Sequence, residues 1–109
     1  MELKRVVVTG LGALTPVGNN VAETWENLVK GVSGAGPITH FDASKFKTHF
    51  ACEVKNFNGT DYIDRKELRK MDLYTQYAIA AAKEAVEDSG MDLEKEDLNR
   101  IGVIYGVGI

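Results

Sequence analysis

The chain has 109 residues, of which 44% are apolar and 27% charged, the composition of a globular unit rather than a disordered or fibrous one. Its net charge is −3 and its pI is near 5.3, which argues against general nucleic-acid binding, because that needs a basic footprint. A single cysteine, Cys52, excludes an internal disulfide and a cysteine metal cluster, and His40 and His49 lack the spacing and partners of a zinc site.

No apolar run approaches the ~20 residues that span a bilayer. The start, Met1 to Arg5, leads straight into Val6-Val7-Val8, a run too short for a signal-peptide core. These features predict a cytoplasmic protein with no membrane partner. Charge is uneven along the chain. Residues 65–70 carry four positive and one negative side chain, whereas residues 81–99 carry seven acids and only two lysines.

Residues 4–10 (KRVVVTG) read as a first strand. Their β-branched run has no polar alternation, so both faces are expected to be buried, as in a parallel sheet. Gly10, Gly12, Pro16 and Gly18 then make a long loop. Asn20 is placed to cap a helix, with Glu23 completing a capping box. Val21, Trp25, Leu28 and Val29 share that helix's apolar face, and Gly31 ends it with a left-handed cap. Residues 31–47 read as irregular, and 49–57 (HFACEVKNF) as a strand or hairpin arm. Asp64 and Glu67 form a second capping box, which starts a short basic helix. The clearest helix runs from about Asp72 to Ser89. Leu73, Tyr77, Ala81 and Ala85 share a face of it, and Gly90 stops it. Residues 101–107 (IGVIYGV) read as a second apolar strand. The order predicts a right-handed βαβ unit, with strands 4–10 and 101–107 parallel and adjacent. Two apolar strands and two apolar-faced helices need cover on both sides. The end at Ile109, on a strand's edge, therefore predicts an interrupted fold: residues 1–109 as an incomplete part of one domain.

Gly10-Leu11-Gly12 after a first strand suggests a dinucleotide fingerprint, but that pattern needs a third glycine at position 15, which is Thr. No Gly-Lys-Ser/Thr sequence occurs, so a Walker A loop is absent too. Cys52 lies in the strand-like FACEV run beside Glu53, whose charge opposes a thiolate, so it reads as structural rather than nucleophilic. Lys66, Arg69 and Lys70 are spaced i, i+3 and i+4 and share a helical face. From the residues alone this is either a solvated charged face or a surface for an anionic partner.

The stretches VVVTGLGALTPVGNN, TWENL, ITHFDASKF, FACEVKNFN, DRKELRKMDLYTQYAIAAAKEAVEDSG and RIGVIYGVGI together resemble the N-terminus of the elongating β-ketoacyl-acyl-carrier-protein synthases. The likeness covers the whole chain and is greatest to the type II members of bacterial fatty-acid synthesis. It implies an α/β, thiolase-like fold with mixed five-stranded sheets layered with helices, of which only the first part of the N-terminal half is present. It implies an acyltransferase that works as a homodimer without cofactor or metal. In such enzymes a cysteine takes the acyl chain from its carrier protein. Two histidines help decarboxylate malonyl-carrier protein and stabilise the oxyanion, and the carbanion extends the chain by two carbons. All three catalytic residues fall later in the family pattern than residue 109, so no catalytic residue is expected in this chain. The resemblance assigns Lys66, Arg69 and Lys70 to docking of the acidic acyl carrier protein, and Ile109 to the acyl pocket as a steric gate. The alternatives are a small non-catalytic carrier-protein-binding module and a ketosynthase domain of a polyketide synthase.

Overall fold

The computed structural model describes residues 1–108. The elements in chain order are α1 (Val21–Val29), β1 (Ala35–Pro37), β2 (Phe50–Cys52), a 3-10 turn at Gly59–Asp61, α2 (Arg65–Leu68), α3 (Leu73–Ser89) and a second 3-10 turn at Leu98–Arg100.

The locally encoded helices form where their caps direct. Asn20 holds an extended backbone and its side chain accepts the Glu23 N–H at 2.8 Å. The Glu23 carboxylate reaches back to the Asn19 N–H at 3.0 Å, one residue earlier than a capping box would place it. At the other end Gly31 takes φ +70. The Gly31 N–H donates to Leu28 O at 3.1 Å and the Val32 N–H to Asn27 O at 2.9 Å, which is a Schellman closure. Gly90 closes α3 in the same left-handed region, at φ 66.

One short sheet is present among the described residues: β1 and β2 pair antiparallel, with Ala35 opposite Cys52 and Pro37 opposite Phe50. The β2 strand falls within the predicted arm, but its partner lies in a stretch read as irregular. The hairpin is held beyond its strands by Glu53. Its carboxylate accepts the Thr39 N–H at 3.0 Å and the Thr39 hydroxyl at 2.7 Å. Those bonds, the backbone one first, hold the Glu53 carboxyl below its usual pKa.

The predicted parallel pair does not form. Residues 4–10 and 101–107 have no strand assignment, and the five-stranded mixed sheet is not built by residues 1–108. An extended apolar run becomes a strand only with a hydrogen-bonded neighbour, and neither run has one here. Val6 stays 89% exposed and Ile104 98% exposed.

Instead, the chain after the first run is fastened along α3. Glu84 and Asp88 stand one turn apart on that helix. The Leu11 N–H donates to Asp88 at 2.9 Å, the Ala13 N–H to one Glu84 oxygen at 2.9 Å and the Val21 N–H to the other at 2.9 Å. Charge-assisted bonds of this kind are roughly twice as strong as neutral ones. The glycines let the backbone come this close. A Cβ on Gly10 would lie 2.6 Å from the Ser89 nitrogen, and one on Gly12 2.8 Å from the Ala85 nitrogen and in overlap with the Ala81 carbonyl oxygen. The Gly10-Leu11-Gly12 pattern therefore serves helix packing against Ala81 and Ala85.

Burial is sparse. The accessible surface is 9186 Å² for 12.0 kDa, against about 6,000 Å² for a self-contained monomer of that mass. The radius of gyration is 17.2 Å, against about 13 Å for a compact unit of this length. Ala43 and Ala80 are the buried apolar residues, while Trp25, Leu28 and Val29 on the apolar face of α1 remain exposed. The chain thus presents apolar faces that it does not cover itself.

Candidate functional site

The basic helix is short and firmly seated. Asp64 caps α2 by accepting the Lys66 N–H at 2.8 Å. The other half of the predicted capping box is not made, because the Glu67 carboxylate pairs instead with Lys70 Nζ at 3.0 Å. Leu68 turns inward and is half-buried. It sits over Gly59, where an added Cβ would lie 2.5 Å from Leu68 Cδ1 and 2.6 Å from Gln76 Oε1. Gln76 donates to Met71 O at 3.2 Å, which ties the end of the basic segment to the first turn of α3. Behind this, Phe57 packs edge-on to Tyr77 at 4.9 Å and stacks on Tyr62 at 5.7 Å. Burial, and secondarily the charge of Glu53, raises the Tyr77 hydroxyl above the usual phenol range.

On this seat Lys66, Arg69 and Lys70 are all exposed. Among the described residues Lys66 and Arg69 make no ion pair, whereas Lys70 shares its charge with Glu67. Arg65, four residues before Arg69 and also exposed, extends the same face. The grouping of Lys66, Arg69 and Lys70 leaves it out, although its i, i+4 spacing to Arg69 is the signal that finds it. Residues 65–70 thus place four exposed cations in one short segment, α2 and the two residues after it, on a chain of net charge −3.

The other candidates are not brought to this surface. Cys52 is an exposed free thiol on β2. The His40 imidazole faces Glu53 at 3.9 Å, and the His49 carbonyl accepts the Ile38 N–H at 3.1 Å to lengthen the hairpin. Nothing in these contacts assembles a nucleophile with its base. Ile109, the expected pocket residue, lies outside the described residues.

The family described as Beta-ketoacyl synthase, N-terminal domain matches residues 3–109. The chain belongs to that family. It is 55% identical over 106 residues to a 3-oxoacyl-[acyl-carrier-protein] synthase 2 of Staphylococcus aureus (strain COL), covering 97% of this chain and 26% of the relative. It is 50% identical over all 109 residues to a 3-oxoacyl-[acyl-carrier-protein] synthase 2 of Vibrio harveyi, again 26% of the relative. Among solved structures it is similar to the ishigamide ketosynthase/chain length factor, with a TM-score of 0.75 and 41% identity over 81% of this chain and 22% of that one. This ketoacyl-synthase chain therefore spans about a quarter of the length of the curated relatives it matches.

Proposed function

We propose that the chain is the N-terminal part of a type II 3-oxoacyl-[acyl-carrier-protein] synthase, and that α2 is where the acyl carrier protein docks. In the whole enzyme an acyl thioester condenses with malonyl-carrier protein, carbon dioxide leaves, and the acyl chain grows by two carbons. The mixed five-stranded sheets layered with helices belong to that longer protein, which works in the cytoplasm as a homodimer. Segments 4–10 and 101–107 are two of its strands, and further chain covers their apolar faces. The excess accessible surface supports this reading, since ~3,000 Å² more than a self-contained monomer exposes is a large unfilled demand for burial.

The observation that carries the docking assignment is the exposed cationic set of Lys66, Arg69 and Lys70, seated by Leu68 against Gly59 on an otherwise acidic chain. An acidic carrier protein approaching it gains long-range attraction that falls off beyond the Debye length of about 10 Å at 0.1 M salt. Each exposed pair contributes only about 0–1 kcal/mol, so the effect lies mainly in the association rate. Changing all three to Glu is expected to lower that rate about tenfold or more at low salt, with the difference shrinking as salt is added. Association kinetics with acyl carrier protein at two salt concentrations test this, and an unaltered rate at low salt excludes the surface as a docking site.

Ile109 is assigned to the acyl pocket of the longer protein. An Ile109→Phe change is expected to exclude long acyl chains while sparing short ones, since overpacking a filled site costs about 1–3 kcal/mol. Equal loss of turnover on short and long acyl thioesters would remove its gating role. The likeness to a ketosynthase/chain length factor favours one second reading, a ketosynthase domain of a polyketide synthase. The same condensation applies there with a different product, and assay of the released ketoacyl chain separates the two. A small binding module without catalysis is distinguished by mass: a native species near 12.0 kDa would support it.

A further inference from the structure

The side chain of Lys55 is fully engaged although the residue as a whole is exposed. Its Nζ lies 3.0 Å from the Pro16 carbonyl oxygen, 2.7 Å from that of Gly34 and 3.0 Å from that of Glu53. An ammonium carries three donors and no acceptor, so each donor here has one carbonyl. The three carbonyls come from separate places: the turn closed by Thr15 and Gly18, the residue before β1, and the residue that follows the end of β2.

Two further observations show that the chain is built to converge at this point. A Cβ on Gly34 would lie 2.7 Å from Pro16 Cβ, so the two carbonyls can approach one ammonium only because position 34 has no side chain. The main-chain carbonyl of Lys55 meanwhile accepts from the Asn19 amide at 2.9 Å. Lys55 thus grips the loop before α1 at both of its own ends. A long lysine side chain ordinarily keeps its mobile head in water. Here it is held in a ring of oxygen ligands, the donor set that suits a hard cation.

We infer that the Pro16, Gly34 and Glu53 carbonyls form a monovalent-cation cradle that the chain fills with its own Lys55 ammonium. Lys55 is then the positioning residue that fixes the 15–18 turn, and with it the start of α1, against the β1–β2 hairpin. Acylation at Nζ would replace three donors by one and remove the charge, so it would open this junction.

Two measurements test the inference. The first is trace labelling of the native protein with an acetylating ester, with peptide mass spectrometry as readout. Lys45 and Lys47 are exposed lysines of the loop between β1 and β2 and serve as internal references. Accessibility of the residues alone predicts equal rates. The cradle predicts Lys55 slower by about tenfold or more, because charged hydrogen bonds must break first. The second is the thermal midpoint of a Lys55→Ala variant in methylammonium, potassium or tetramethylammonium chloride at equal ionic strength. The expected result is a lowered midpoint that methylammonium or potassium restores and tetramethylammonium, too bulky and without an N–H, does not. Labelling of Lys55 as fast as Lys45 and Lys47 would overturn the inference, as would an unchanged midpoint or equal recovery in all three salts. If the variant does not fold, the labelling rates decide on their own.

Discussion

Gly12→Ala is expected to lower stability by about 3 kcal/mol, the upper end of what overpacking usually costs. Most overpacked sites relax by moving a side chain. Here the added methyl meets main chain: the Ala81 carbonyl oxygen in overlap and the Ala85 nitrogen at 2.8 Å. Relief therefore requires the loop to lift from α3. Lifting it strains the neighbouring bonds from Leu11 to Asp88 and from Ala13 to Glu84. Gly36→Ala is the control, because a methyl there meets nothing within 4 Å and the residue has no left-handed backbone. Urea unfolding of both variants beside the parent measures the difference. Equal midpoints for the two would show that the close approach of Gly12 to α3 contributes nothing.

The 109-residue chain is expected to catalyse no acyl transfer. Covalent transfer needs an activated nucleophile, its base and an oxyanion site within a few ångströms. The one thiol is Cys52, exposed on a two-stranded hairpin and followed by Glu53, whose carboxylate is engaged with Thr39. A thiol becomes reactive at a helix N-terminus or beside a cation, and Cys52 ends a strand, β2, rather than opening a helix. His40 is turned to Glu53. Incubation with an acyl-carrier-protein thioester should leave the intact mass unchanged, and malonyl-carrier protein should yield no ketoacyl product. A stoichiometric acyl adduct on Cys52 would contradict this, and its loss in a Cys52→Ser variant would confirm the position.

The basic segment shows how far residue spacing reaches. The helical period groups Lys66, Arg69 and Lys70, and each of the three is exposed. The seating of the segment is not visible in that period. It comes from Gly59 receiving Leu68 and from Gln76 reaching Met71, contacts between segments that the local pattern treats separately. The pairing of Lys70 with Glu67 was hidden for a related reason: a glutamate three residues into a helix can cap or pair, and geometry chooses.

The helices are encoded locally. Asn20, Gly31, Asp64 and Gly90 act within one turn of their own positions, so their signals need no partner elsewhere. The family pattern is legible too, because it is a property of residue order alone. Events with distant partners depend instead on how the segments come together in space. The β1 strand exists because β2 lies beside it. The runs 4–10 and 101–107 form no strand because neither has a neighbour to bond. Gly10 and Gly12 serve α3 rather than a phosphate, and Glu84, Asp88 and Lys55 spend their charges on backbone groups 21 to 77 residues away as well as near at hand. A strand, a close backbone approach and a captured charge are each completed by a second segment, and that segment's position is set by the fold rather than by the residues next door.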